Sequence, residues 1–184
     1  MNMRGLVLGL VVAVFLAAAA GGVLALSGVI RGAPSEVSPS ASARMSEAAK
    51  TGARAARREA QVRVSARRVL AAWDAARASA YSSGDARALG ALYAPGSGTG
   101  AADVRLLRAY DDRGLHVEGM RMQVLAFAVR STGPDRLVLS VTDRLVGAVA
   151  VGRGRRMVLP ADRADRRRVT FVRHRGSWLV DEVR

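Results

Sequence analysis

The pattern of apolar and polar positions changes character three times along the chain. From Gly5 to Ile30 it is apolar and uncharged, between Arg4 and Arg31. As a helix rising about 1.5 Å per residue, this run more than spans a hydrocarbon core of about 30 Å. It predicts a transmembrane anchor over residues 1–31. The competing expectation is a cleaved secretory signal, whose apolar region usually runs about 7–15 residues and for which Val23-Leu24-Ala25 would serve as the cleavage site. Residues 32–44 carry Pro34, Pro39 and four serines with almost nothing to bury, which reads as a flexible tether. Residues 45–68 are rich in Ala and Arg but lack a continuous apolar stripe. They predict a solvated basic stalk helix, so that 32–68 form linker and stalk.

A helical stripe then appears. Val69, Trp73, Ala76 and Ala80 recur at spacings of four, three and four, with Leu70 and Tyr81 widening the face, so a helix is expected to run to about Ser82. Arg77 borders that stripe and is expected to extend its guanidinium to solvent. Asp85 should cap a short second helix that buries Leu89, Leu92 and Tyr93. "APGSGTGAA" reads as a Gly-rich connection. It lacks the strand before and Lys after that a phosphate-binding loop requires. A third helix is expected from Ala102 or Asp103, with Val104, Leu107 and Tyr110 facing inward and Gly114 ending it.

From Leu115 the period becomes two. "LHVEG" and "MRMQVLAFAVRS" are strand-like, and Gly133-Pro134-Asp135 makes a turn. "LVLSVTDRLVGAVAV" follows as a long strand with Leu137, Leu139, Val141, Asp143 and Leu145 on one face. Arg153 to Arg168 read as a basic irregular loop with a short strand at Met157–Leu159. "RRVTFVRH", a turn at Arg175-Gly176 and "SWLVDEV" complete a terminal hairpin. Strands gathered after helices define an α+β domain over residues 69–184, with an antiparallel sheet wrapped over the helices.

Composition alters this picture in two ways. The formal net charge of +14 is carried by Arg, Lys50 being the only lysine, so the charge matters only where it is concentrated. In the folded half that place is "RGRRMVLPADRADRRR". Arg153, Arg155, Arg156, Arg166, Arg167 and Arg168 are therefore candidates for contact with an anionic partner, whether lipid headgroup, acidic protein or polymer. Interleaved aromatics of the kind single-strand recognition uses are missing from the basic stalk, which argues against nucleic acid. The absence of Cys excludes disulfides, thiolate metal sites and a cysteine nucleophile.

Ser83-Gly84-Asp85 before Leu89, Leu92, Tyr93 and Ala94, followed by a curved meander ending in Gly176-Ser177-Trp178-Leu179-Val180, resembles the nuclear-transport-factor-like cone fold. Ketosteroid isomerases, scytalone dehydratase and polyketide-cyclase-like proteins share that fold. Joined to one N-terminal membrane helix, the layout is also similar to actinobacterial membrane proteins associated with mammalian-cell-entry transport systems. The resemblance implies helices packed in a curved antiparallel sheet. In its enzymes it also implies an acid or base in the cone, commonly a carboxylate shortly after the second helix. Here that window reads Ala94-Pro95-Gly96-Ser97-Gly98 and holds no such group.

Other candidates for cone chemistry follow from alternation and spacing. Asp143 falls on the apolar face between Val141 and Leu145. It would be a base with raised pKa, a bulge residue, or the partner of an Arg such as Arg144 or Arg121. Tyr81, Tyr93 and Tyr110 are spaced as core residues whose hydroxyls could line a pocket. His116, Glu118 and His174 should face solvent, and two isolated histidines make no metal site. No catalytic residue, metal or cofactor is therefore expected.

The resulting expectation is a non-catalytic single-pass protein of the cell membrane, with an extracytoplasmic cone domain that serves as an accessory or assembly subunit bound to an envelope protein. A strict count of positive charge slightly favours the opposite orientation, but long domains translocate largely regardless of charge. The alternatives are a small-molecule binder or isomerase-like enzyme built around Asp143, and a cytoplasm-facing binder of anionic lipid or nucleic acid.

Overall fold

The computed structural model describes residues 39–184. The predicted anchor, residues 1–31, and residues 32–38 of the predicted tether lie outside the described residues. Among those described, no helix is long and apolar enough to cross a membrane.

Helix α1 runs Pro39–Ser83. Helix thus begins inside the segment expected to be a flexible tether, and the basic stalk continues into the first helix of the domain with no boundary at residue 69. The local chemistry allows this, since a proline at the helix start gives up only an N–H that had no partner there. The Ala and Arg that follow are strong helix formers. The chain divides into two units between Thr51 and Gly52. The second holds the rest of α1 and every later element.

Helix α2 is a single short turn, Ala86–Gly90, capped by Asp85, whose Oδ1 accepts from the N–H groups of Arg87 and Ala88. Leu92 and Tyr93 fall beyond its end. There the backbone pairs with the last strand, Ala94 N–H donating to the Val180 carbonyl at 2.8 Å and Val180 N–H to that of Leu92 at 2.9 Å. Helix α3, Gly98–Asp111, starts four or five residues earlier than the expected Ala102 or Asp103. The Ser97 hydroxyl accepts from Gly100 N–H at 3.1 Å and donates to the Asp181 carbonyl at 2.6 Å, so the glycine-rich stretch is its first turn. Glycine is a poor helix former, but at Gly100 any side chain would collide with Tyr93, the nearest atoms lying only 2.5 Å from a Cβ placed there.

Five antiparallel strands follow: β1 His116–Thr132, β2 Arg136–Gly152, β3 Arg155–Val158, β4 Asp165–His174 and β5 Ser177–Val183. The sheet order is β1-β2-β4-β5, with β3 beside the far end of β2. β2 pairs with β1 along its whole length, while Arg136–Asp143 face β4 and Val149–Gly152 face β3. The two runs expected as separate strands before Gly133 are one strand interrupted by bulges, the first at Gly119 with φ +63°. Bulges of this kind increase twist and bend the strand over the helices. Arg153-Gly154 and Arg175-Gly176 both turn with positive φ at each residue, the geometry that matches the natural twist of a hairpin.

The concave side is filled. Leu89, Leu107, Leu139, Val141, Val169, Phe171 and Val180 are all below 2% exposed, and Leu70, Trp73 and Tyr81 of α1 join the same cluster. Trp73 meets Tyr93 and Phe171 edge-on at 6.1 and 6.3 Å between ring centres. Burying an aliphatic or aromatic side chain of this size contributes about 1.5–3 kcal/mol.

Candidate functional site

Once Ser97 caps α3, Asp103 is no longer a helix start. It lies in the second turn on the inward face, 8% exposed. A bare carboxylate there would be costly, and four donors meet it. Arg77 Nε donates to Oδ2 and Nη2 to Oδ1, both at 2.6 Å. The Tyr81 hydroxyl donates to Oδ1 at 2.7 Å and the Tyr93 hydroxyl to Oδ2 at 2.6 Å. Burial works against charge on Asp103, but the hydrogen bonds and charge of Arg77, aided by both tyrosines, outweigh it and hold the carboxyl below its usual range. Burial, and then the Asp103 charge, push Tyr81 and Tyr93 well above the ordinary phenol range, so both remain donors. Arg77 also packs over the rings of Tyr81 and Trp73 at 5.0 and 5.9 Å, and its Nη1 faces Met120 Sδ. The expectation of a solvent-reaching Arg77 therefore fails, because an inward carboxylate holds the guanidinium.

A second ionic pair lies on the inner sheet face. Asp143, 3% exposed, is gripped by Arg167 in the two-pronged mode, Nε to Oδ1 at 3.0 Å and Nη2 to Oδ2. The partner is neither Arg144 nor Arg121. In the β2–β4 register Arg167 stands opposite Val141, which turns it to the inner face. Arg167 therefore leaves the expected set of anion contacts. Arg166 and Arg168, opposite Thr142 and Ser140, remain on the outer face and exposed. Arg153, Arg155 and Arg156 are exposed too, although they belong to a hairpin turn and strand β3 rather than to one loop. Arg156 reaches Glu118 at 3.5 Å, and Glu118 also meets His116 at 3.1 Å, all three partly or fully exposed.

The structure thus brings Tyr81 and Tyr93 together on Asp103 and separates them from Asp143. Tyr110 packs half-buried against the core and joins neither cluster. Trp73 Nε1 is buried with no acceptor among the described residues.

One acid escaped the sequence reading. Asp74 follows Trp73 on α1 and lies half-buried in a cleft of about 350 Å³ between α1 and β1. Leu70 and Ala78 flank it on the helix, and Met120, Met122 and Val124 form the opposite wall. Burial first, then the nearby Asp143 carboxylate, push Asp74 up to about 6 against the weaker pull of Arg167 and Arg77. No hydrogen bond or ion pair from the described residues offsets that burial. Its only sequence signal is its place beside the stripe, which it shares with any solvated helix residue. A further cleft of about 460 Å³ opens between α1 and the end of β1 near Val62, Phe127 and Val129. Among the described residues no group of three acidic or histidine side chains is placed to hold a metal ion.

No protein-family model and no curated protein sequence matches the chain. Among solved structures it is similar to the intermembrane space region of the chloroplast protein ARC6, with 12% identity and a TM-score of 0.50 over 66% of this chain and 94% of that one. It is also similar to Aln2 from a Streptomyces species, with 17% identity and a TM-score of 0.43 over 62% and 85% of the two chains. A further likeness is to an NTF2-like protein with a cystatin-like fold from Novosphingobium aromaticivorans, with 19% identity and a TM-score of 0.41 over 67% and 83%. At such identities the likeness concerns the fold alone. The domain is a mixed α+β structure, with helices against an antiparallel sheet.

Proposed function

We propose that this chain is a non-catalytic single-pass membrane protein whose cone domain binds a partner protein as an accessory or assembly subunit of the cell envelope. One observation carries the reading. Of the three carboxylates on the inner side, the two most deeply buried, Asp103 and Asp143, are saturated by bidentate arginines, and the third, Asp74, lies in the cleft between α1 and β1. The uncharged run Gly5–Ile30 supports the anchor.

The partner-facing surface in this reading is the outer side of the sheet. Arg166 and Arg168 project there from β4, and the backbone of Arg184 pairs reciprocally with that of Arg168 at 2.6 and 3.0 Å. Arg184 is ion-paired with Glu182 at 2.5 Å, while no carboxylate among the described residues pairs with Arg166 or Arg168, which leaves these two exposed guanidiniums open to an acidic partner.

The test has two parts. A single Cys at Ser177 of this Cys-free chain should react with an impermeant reagent on intact cells, as an extracytoplasmic domain requires. A photo-reactive residue at Arg166 or Arg168 should give a discrete cross-link to one membrane-associated protein, lost in the charge-reversed Arg166→Glu/Arg168→Glu variant. Absence of any such adduct from the outer face would sink the proposal.

A further inference from the structure

The inner side of the domain gathers acids in a chain whose net charge is +14. Three carboxylates gather there, Asp74, Asp103 and Asp143, with Arg77 and Arg167 among them and the exposed Arg67, which lies over the Phe127 ring at 5.4 Å, also lining the cleft. Asp103 takes Arg77 and Asp143 takes Arg167, each in a closed two-pronged pair. Asp74 is left over. In a chain with 29 basic and 15 acidic residues, a half-buried carboxylate could easily have been given an arginine, yet its open side faces a cleft instead.

The walls of that cleft state what else would fit. Met120 and Met122 are unbranched and polarizable and adapt to irregular apolar shapes, while Leu70, Ala78 and Val124 supply a fixed aliphatic lining. A volume of about 350 Å³ matches the lower end of small-molecule sites. Apart from Asp74 and Arg67, which lies over the Phe127 ring, the lining is apolar; it favours an apolar body with one polar head, and the carboxylate without an ion pair among the described residues sets the sign of that head.

We propose that the cleft between α1 and β1 is a binding site for a small apolar molecule bearing one protonated amine, whose ammonium group meets the Asp74 carboxylate. The charged groups around that carboxylate are Arg67 and Arg77 on its own helix, and Asp143 and Arg167 on the sheet. Arg77 and Arg167 are held by their own acids and Arg67 lies over the Phe127 ring, so the ammonium supplies the counter-charge to Asp74. This site stands apart from the outer-face contact proposed above and survives if that contact is disproved.

The test uses the full-length chain in lipid nanodiscs with ¹³C-methyl-labelled methionine, the Met120 and Met122 signals reporting the cleft. 2-Phenylethylamine is the probe, with 2-phenylethanol and 3-phenylpropanoate as the neutral and anionic counterparts. The amine should shift both methyl signals saturably and bind at least tenfold more tightly than the alcohol, while the carboxylate leaves the signals in place. Asp74→Asn, which keeps the shape and removes the charge, should lower amine affinity to that of the alcohol. Because only the ionised acid binds the ammonium, affinity should fall about tenfold between pH 7.5 and pH 5. Equal binding of amine and alcohol, an unchanged amine affinity in Asp74→Asn, or no saturable shift at Met120 and Met122 would each overturn the assignment.

Discussion

Asp74→Asn should make the protein more stable, and only above a defined pH. The unfolded chain ionises this carboxyl near 3.8, whereas burial beside Asp143 raises it to about 6 in the folded state. A carboxyl whose folded value lies above its unfolded one favours folding at pH below the lower value, where it is protonated in both states. That contribution is lost as pH rises through the upper value. At about 1.4 kcal/mol per tenfold difference in proton affinity, the interval from 3.8 to about 6 corresponds to a loss of about 3 kcal/mol by pH 8. Asparagine has nearly the same shape and never ionises. The stability difference between variant and wild type should therefore be near zero at pH 4, grow between pH 4 and 6, and level off at about 2–3 kcal/mol above pH 7. Urea unfolding followed by tryptophan fluorescence measures this directly, since both tryptophans, Trp73 and Trp178, lie in the domain. A difference that stays flat with pH, or a variant less stable than wild type at pH 8, would show that the folded state welcomes the charge. The electrostatic reading of the cleft would then be wrong.

Further outcomes follow from the other clusters. Asp143→Ala should cost about 3 kcal/mol by leaving Arg167 charged and half-buried without its partner, and Asp143→Ala/Arg167→Ala should cost less than the sum of the single changes; a strictly additive double-mutant cycle would refute the pairing. Tyr93→Phe removes one of four donors to a charged acceptor and should lower stability by about 1–3 kcal/mol in urea titrations, with earlier unfolding on acidification because Asp103 is then less well held. Gly100→Ala should lose about 1–3 kcal/mol, since the colliding atoms are the Cβ and Cγ of Tyr93 rather than a flexible tip, and Tyr93→Ala in the same background should relieve the clash. Arg166→Glu/Arg168→Glu should leave thermal unfolding unchanged or slightly raised, as expected for exposed guanidiniums without an ion-pair partner among the described residues of a strongly basic chain.

The elements were legible wherever local pattern decides them. The Val69-to-Ala80 stripe, the Asp85 cap, the period-two runs and the Arg175-Gly176 turn all rest on neighbours within a few residues, and each appears where local chemistry puts it. The failures share a cause. Ala102 or Asp103 looked like a helix start because the preceding glycines argue against helix, and only the approach of Tyr93 to Gly100 explains why Gly100 lies in the helix. Arg77 then looked exposed, since its partner lies 26 residues further along the chain. Arg167 was grouped with its neighbours in a basic run, and only the β2–β4 register turns it inward and its neighbours outward. Asp74 gave no signal, because an acid bordering an apolar stripe reads the same whether it meets water or a cleft. Chemistry assembled by tertiary pairing is invisible to a one-dimensional period.

The knot around Asp103 joins residues from α1, from the segment that pairs with β5 and from α3 through a single carboxylate. Exchanging Asp103 alone would strand three donor side chains, and exchanging Arg77 alone would leave the buried carboxylate without its counter-charge, so related chains are expected to keep Arg77, Tyr81, Tyr93 and Asp103 as a set or to replace them together with hydrocarbon. Their joint presence or joint loss is thus a signature by which distant kin of this domain can be sorted, even after the rest of the sequence has drifted beyond alignment.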